Sequence, residues 1–339
     1  MREDSPSLLS RLKSSCLFFV LLTFCFFVGL ILMTAALSQL GEEQSAVIES
    51  SEGHADPQSS AIALISVSGV MLRDDDGVSR GITSNLLLML RKAREDDKIK
   101  GVLLRLNTPG GSVTDADLVH HEIKRLAKAG KPTLLLMDDT CASGGYYAAL
   151  AAREVWALPT TITGSIGVIV SSLNFSKLLS EHGVTDESIT SGPNKAIFSP
   201  TAPPNPAHRE IMQAIVDQLY DRFLQLLVEG RGLDQESARA VADGRIFTAQ
   251  EAKKRKLIDR IGYPEEALKR ARALAQLPAE SRVVKYHVPR SFFSRFSSEL
   301  KLGLWSSSDR LSTLALEGPR AYYLYAPQGA AWRAAHLIH

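Results

Sequence analysis

The chain has 339 residues, 45% of them hydrophobic and 22% charged, with a formal net charge of +2. That length holds one large domain or two modest ones. The near-neutral balance excludes the concentrated basic stripe of a nucleic-acid binder, because the one basic run, Lys253-Lys-Arg-Lys256, is flanked by Glu251 and Asp259 and reads as a solvated helix face.

Residues 1–15 are polar and carry Arg2, Arg11 and Lys13. From Cys16 to Leu37 no residue is charged. A helix of that length reaches about 33 Å, enough to cross a bilayer. The next Lys or Arg is Arg73, so the basic excess predicts a cytoplasmic N-terminus, an uncleaved anchor over residues 16–38 and everything later on the far side. A cleaved signal peptide would have a shorter apolar core. With Cys16 and Cys25 in the anchor, Cys141 is the one cysteine beyond it, and no disulfide forms within the outer domain.

Residues 39–60 are rich in Glu, Ser and Gln and read as a linker. A folded domain then runs from 61 to 280. Apolar runs predict strands at 61–68, 100–106, 132–137, 155–157, 166–170 and 186–190, and helical spacing predicts helices at 83–93, 115–129, 144–152 and 174–181. Strands alternating with helices imply right-handed βαβ units and a mostly parallel α/β sheet. After Pro206 the pattern turns helical, at about 207–230, 234–242, 249–256 and 264–276. Residues 281–339 read as a tail whose tyrosines at 322, 323 and 325 suit an arm packing on another subunit.

Two glycine-bearing segments, 107–111 and 141–145, fall at the carboxyl ends of strands, where open parallel sheets place their reactive loops. In the second, Ser143 precedes an alanine-rich helix, so small neighbours leave room for a substrate backbone and a helix N-terminus supplies unpaired N–H groups. A serine needs a base. The order Ser143, His182, Asp186 offers one, and Cys141 is a competing nucleophile without an evident partner. The loop containing Lys195 offers another, since burial against apolar residues such as Ala196, Ile197 and Phe198 would favour a neutral amine. No His, Cys, Asp and Glu cluster has metal-ligand spacing, and no phosphate loop is present, so neither metal nor cofactor is implied.

Five segments together resemble the signal peptide peptidase A family of membrane-bound serine–lysine peptidases. They are Asn107-Thr-Pro-Gly-Gly111, Ala142-Ser-Gly-Gly-Tyr-Tyr147 and Thr163-Gly-Ser-Ile-Gly-Val168, then Ser191-Gly-Pro-Asn-Lys195 with Ser199-Pro200, and Asp243-Gly-Arg-Ile-Phe-Thr248 followed by Leu257-Ile-Asp-Arg-Ile-Gly262. The likeness spans about residues 61–275. It implies a ClpP/crotonase-like fold with Ser143 as nucleophile and Lys195 as general base. It also implies an oxyanion site at the N–H groups of Gly110 or Gly111 and of Gly144, with Ser199 holding the lysine amine. Asn194 departs from the aromatic residue common in that family. Thr163–Val168 reads as a turn shaping the cleft wall. The implied protein is a single-pass endopeptidase of the bacterial inner membrane, with its catalytic domain on the periplasmic side. It would act on cleaved signal peptides and assemble as a homo-oligomeric ring. A non-catalytic peptide-binding scaffold of the same fold is the alternative. A crotonase-like acyl-CoA enzyme is disfavoured by the anchor.

Overall fold

The computed structural model describes residues 26–29, 47–52, 58–73, 81–288 and 322–324. The anchor expected over 16–38 lies outside the described residues apart from 26–29, which are helical (α1). Among the described residues no helix is long and apolar enough to cross a membrane.

Parallel strands buried on both faces need continuous apolar runs, and the central strands have them. In β2 (Ala61–Ser68), β3 (Ile99–Thr108) and β5 (Thr133–Ala142), successive side chains alternate between two cores. Ala61, Ala63, Ile65, Val102, Leu104, Leu106, Leu135 and Met137 face the larger core. Ile62, Leu103, Leu134 and Leu136 face a smaller one closed by Trp156, Ala267 and Ala271. The larger core is shared with α2 (Ile82–Glu95), α3 (Val113–Lys128), α4 (Gly144–Ala149) and the second half of α6 (Pro206–Arg231). The smaller is covered by α9 (Pro264–Leu274).

The sheet order is β1-β10-β2-β3-β5-β6-β9, where β1 is Ile48–Glu52, β6 Glu154–Ala157, β9 Arg260–Ile261 and β10 Arg282–His287. Every neighbouring pair along it is parallel except β1 with β10. The expected mixed α/β architecture with a mostly parallel sheet is therefore present. The sheet extends past the domain end expected at 280, because β10 pairs directly with β2 and buries Val283, Val284 and Tyr286.

Two expected strands do not form. Residues 186–190 are irregular, since the Asp186 carboxylate accepts the Ser188 N–H at 2.9 Å in a local turn and Ile189 is 100% exposed, with no strand beside it. The strand expected at 166–170 forms earlier instead, as β7 (Ile162–Gly164). It ends at Gly164 and Ser165, whose φ angles of 90° and 49° turn the chain away. Of the remaining elements, α7 (Gln235–Val241) packs on α6, β8 (Ile246–Thr248) and α8 (Ala249–Lys254) pack on β7, and α5 (Ser176–Glu181) buries no residue.

β5 performs the step that builds the site. Its first half pairs with β6, Leu134 to Met137 against Glu154 to Ala157, and its last three residues pair with β7, Thr140 to Ala142 against Ile162 to Gly164. Between them β5 slips against β3, where Leu106 faces Met137 but Thr108 faces Cys141. Past that irregularity β5 still pairs with β3 but exchanges β6 for β7 on its other side, and it ends just before Ser143.

Candidate active site

Ser143 is the N-cap of α4 with φ 53° and ψ −112°, a conformation that costs a non-glycine residue energy and marks a constrained site. Its N–H donates to the Gly164 carbonyl at 2.8 Å and its carbonyl accepts from Tyr147 N–H at 2.8 Å. The side chain is buried at 1% exposure, yet Oγ has no hydrogen-bond partner. Buried hydroxyls are ordinarily satisfied, so an orphaned Oγ at a strained turn reads as a group held ready for a reactant. The first N–H groups of α4, those of Gly144 and Gly145, have no acceptor within the helix.

α4 is pinned on both sides. Tyr146 OH donates to the Leu257 carbonyl at 2.8 Å and Tyr147 OH donates to Asp117 Oδ1 at 2.6 Å. The Tyr147 ring packs edge-on against Phe223 at 5.0 Å and against His120 at 5.6 Å. Gly145 is required by space, because a Cβ there would fall 2.5 Å from Thr108 Cγ2. Burial pushes both tyrosine hydroxyls up from their ordinary pKa, and the Cys141 thiol likewise, so Cys141 is an inert core residue rather than a nucleophile.

The first glycine segment ends in β4 (Gly110–Ser112), bridged on one side to Met71. Of the two glycines expected to bind an oxyanion, Gly110 has its N–H engaged by Thr108 Oγ1 at 3.1 Å and its carbonyl engaged by Met71 N–H at 2.7 Å. Gly111 turns its N–H to the opposite edge of β4, where Tyr323 pairs with it. Arg73 holds the neighbouring chain in place, its N–H and Nε each donating to the Asp115 carboxylate at 2.6 Å.

Lys195 is not hydrogen-bonded to Ser143. It is exposed, in a turn closed by Lys195 N–H donating to the Gly192 carbonyl at 3.1 Å, and Ser143 Oγ receives nothing from it. The apolar wall expected from Ala196, Ile197 and Phe198 leaves it exposed within the single chain. Ser199, expected to hold the lysine amine, is used inside the loop: Oγ donates to Asp186 Oδ2 at 3.4 Å, lies 3.0 Å from Thr201 Oγ1 and accepts the Ala202 N–H at 3.1 Å. Asp186 also accepts from Thr201 Oγ1 at 2.6 Å and Ser188 Oγ at 2.5 Å, and hydrogen bonds led by that from Ser188 hold its pKa down at about 2. Those bonds tie Asp186 to the lysine loop and not to His182, so the Ser143, His182, Asp186 order does not form a triad.

Sequence reasoning passed over the support of Ser143. The Gly164 carbonyl that fixes Ser143, the strained Ser165 beside it, and the two clamping tyrosines were all within quoted motifs. A Gly-Ser pair ending a short strand was the available signal. Ser165 N–H donates to the Arg245 carbonyl at 2.7 Å, so the Asp243-Gly-Arg segment also buttresses this turn.

His120 supplies a pH dependence. It is 6% exposed, and burial lowers its pKa from 6.5 to about 4, against the opposing pull of Asp117 and reinforced by Lys124, Arg222 and His121. The folded state therefore prefers neutral His120. Its contribution is complete above about pH 6.5 and is lost as pH falls from there through 4, a loss of about 2–3 kcal/mol. In urea unfolding at pH 7 and pH 4.5, His120→Phe should lose less stability than the native chain; equal losses would remove His120 as the cause.

Comparison with known proteins agrees with this geometry. The model of Peptidase family S49 matches residues 125–278, a span that takes in Ser143, Ser165 and Lys195. A putative signal peptide peptidase SppA of Enterococcus faecium is 34% identical over 261 residues, covering 74% of this chain and 75% of its own length. Protease 4 of Haemophilus influenzae is 31% identical over 229 residues, and there the match takes in 67% of this chain but 37% of the longer relative. Among solved structures, a ClpP1 mutant from Listeria monocytogenes is similar over 61% of this chain and 94% of its own at a TM-score of 0.41 and 17% identity. With a relative at that identity aligned over most of both chains, the chain belongs to Peptidase family S49, the signal peptide peptidase A family, and is a serine protease.

Proposed function

We propose that this protein is a membrane-anchored endopeptidase that hydrolyses apolar, extended peptides, cleaved signal peptides among them, through an acyl-enzyme on Ser143. The observation that carries the reading is the buried, unpartnered Ser143 Oγ at a strained helix N-cap beside Gly111 and Gly144. Lys195 takes the Oγ proton as Oγ attacks the scissile carbonyl carbon. The N–H groups of Gly111 and Gly144 meet the oxyanion. The C–N bond then breaks, Lys195 returns its proton to the leaving amine, and water repeats the sequence to release the acid and restore Ser143.

The base comes from a neighbouring copy. The segment carrying Lys195 contributes nothing to the core: α5 has no buried residue, and Leu173, Phe175, Leu178 and Val184 are all exposed. Such an apolar arm suits burial against another subunit, where the same contact would desolvate the lysine. A homo-oligomeric ring, with residues 16–38 in the bacterial inner membrane and the catalytic domain outside the cytoplasm, accommodates these features.

The test is hydrolysis of an apolar signal-sequence peptide by the full chain in detergent. Wild type should cleave it, and Ser143→Ala should lose a factor of about 10³ or more. Full activity in Ser143→Ala would sink the proposal.

A further inference from the structure

A very short helix cannot hold its own position, because its end groups outnumber its internal hydrogen bonds. α4 is such a helix, with six residues, all buried. Its first turn closes on Ser143 through Tyr147, whose N–H donates to the Ser143 carbonyl. What fixes α4 from outside therefore fixes the geometry of Ser143.

Both tyrosine ties of α4 lead to α6. On one flank, the Asp117 carboxylate that accepts the Tyr147 hydroxyl at 2.6 Å also faces the Arg222 guanidinium, with 3.5 Å between Nη2 and Oδ1. On the other, the Leu257 carbonyl that accepts the Tyr146 hydroxyl belongs to a segment held by Arg231. Arg231 Nε donates to the Lys256 carbonyl at 2.7 Å, while Nη1 and Nη2 donate to the two Asp259 oxygens at 3.1 and 2.9 Å. Asp259 also accepts the Val155 N–H at 2.7 Å, which ties the same segment to β6. Between the two arginines, Phe223 packs edge-on against Tyr147. Gly230 sits so close to the end of α4 that a Cβ there would stand 2.9 Å from the Leu150 carbonyl oxygen. α6 is capped at both ends by Asn205 and Gly232 and is about 39 Å long, so its second half meets α4 as one rigid rod.

We propose that Arg222 and Arg231 are positioning residues for Ser143, each acting through one tyrosine of α4. The inference rests on the reading of Ser143 as the nucleophile. Neither guanidinium donates to Ser143 Oγ. Each instead holds the group on which a tyrosine hydroxyl rests, Arg231 through a three-bond fork and Arg222 through its charge. Loss of either tie lets α4 shift, which slows turnover of bound peptide and leaves peptide binding as it was, so kcat falls and KM stays.

The experiment uses the full chain in detergent with an apolar signal-sequence peptide. Arg222→Gln and Arg231→Gln should each lose about tenfold to hundredfold in kcat with KM unchanged. Arg222→Lys keeps the charge toward Asp117 and should recover most of that loss. Arg231→Lys keeps the charge but not the fork, so it should still lose kcat, and it carries the test on that flank if Arg231→Gln fails to fold. Tyr147→Phe removes the hydroxyl through which Arg222 acts, so adding Arg222→Gln to it should change kcat by less than about twofold. Arg239→Gln is the control: Arg239 faces Asp221 of α6 at 3.8 Å in an exposed pair that does not involve α4, and its loss should change nothing. Amide hydrogen exchange across 144–149 should be faster in Arg222→Gln and Arg231→Gln than in wild type. Wild-type kcat in both, a change in KM alone, or unchanged exchange overturns the inference. If exchange quickens but no chain hydrolyses any peptide, the hold of α6 on α4 stands and the peptidase reading falls. Hydrolysis by wild type with the Gln variants identical to it in every readout does the reverse.

Discussion

Co-expressed Ser143→Ala and Lys195→Ala chains, each inactive alone, should recover peptide hydrolysis when they assemble together. The expectation follows from the separation of the two residues. Ser143 is buried at the head of α4 with an unpartnered Oγ, and Lys195 is exposed on an arm that buries nothing of its own. If the arm of one copy completes the site of the next, a competent site needs an intact serine from a Lys195→Ala chain and an intact lysine from a Ser143→Ala chain. Random mixing in equal amounts gives that combination at about one interface in four, so roughly a quarter of the wild-type rate should return in a closed ring. Each single variant should fall by about 10³-fold or more. Intact mixed oligomers with no recovered activity would place both residues of the pair in one chain. Full activity in Lys195→Ala alone would remove that lysine from the mechanism.

The second large effect is expected at Gly111. A Cβ there would lie 2.1 Å from the Met71 carbonyl oxygen, 2.7 Å from its carbon and 2.8 Å from its Cα. All three are backbone atoms, so no side-chain rotation relieves the clash. The Met71 segment cannot easily retreat either, because Arg73 is clamped to the buried Asp115 two residues later. Gly111→Ala should therefore shift β4, moving the N–H that the proposed mechanism brings to the oxyanion. A displacement near 1 Å costs about 10² in kcat/KM. The measurement is steady-state hydrolysis with the unfolding midpoint followed alongside. A variant that folds and keeps the wild-type rate would show that β4 does not line the reaction centre.

Where sequence and structure part company, distance along the chain is the cause. The helix ahead of Arg231 announces itself by Asn205 and Pro206 at its start and Gly232 at its end, and all three act as caps should: Asn205 accepts the Ala207 N–H and Gly232 takes φ 61°. The strands of the central sheet are legible for a related reason. A run such as Leu134 to Met137 has no polar face, so it must be covered on both sides. By contrast, Asp186 to Thr190 has strand-like content and no strand to pair with, and its side chains close a turn instead.

The site divides in the same way. Ser143, flanked by glycines at the start of an alanine-rich helix, is legible because a nucleophile needs small neighbours and a helix N-terminus close by in sequence. The choice between Gly110 and Gly111 is not, since it depends on Thr108 Oγ1 and Met71 filling one position and leaving the other. Ser199 illustrates the limit from the opposite side: its position near the lysine suggested a partner, and the fold uses its hydroxyl to close the loop around Asp186.

The sequence by itself therefore determined what short-range chemistry and periodicity dictate: a mostly parallel α/β domain, a serine at a helix start, two glycine segments at strand ends and a lysine loop downstream. Only the tertiary structure decided that the end of β5 exchanges β6 for β7 as its neighbour, that Gly164 and two buried tyrosines hold Ser143 in its strained turn, and that residues 322–324 pair with β4. Each of these is a pairing between segments tens to hundreds of residues apart. Backbone hydrogen bonds carry no side-chain signature, so such pairings are settled when the cores close and not before.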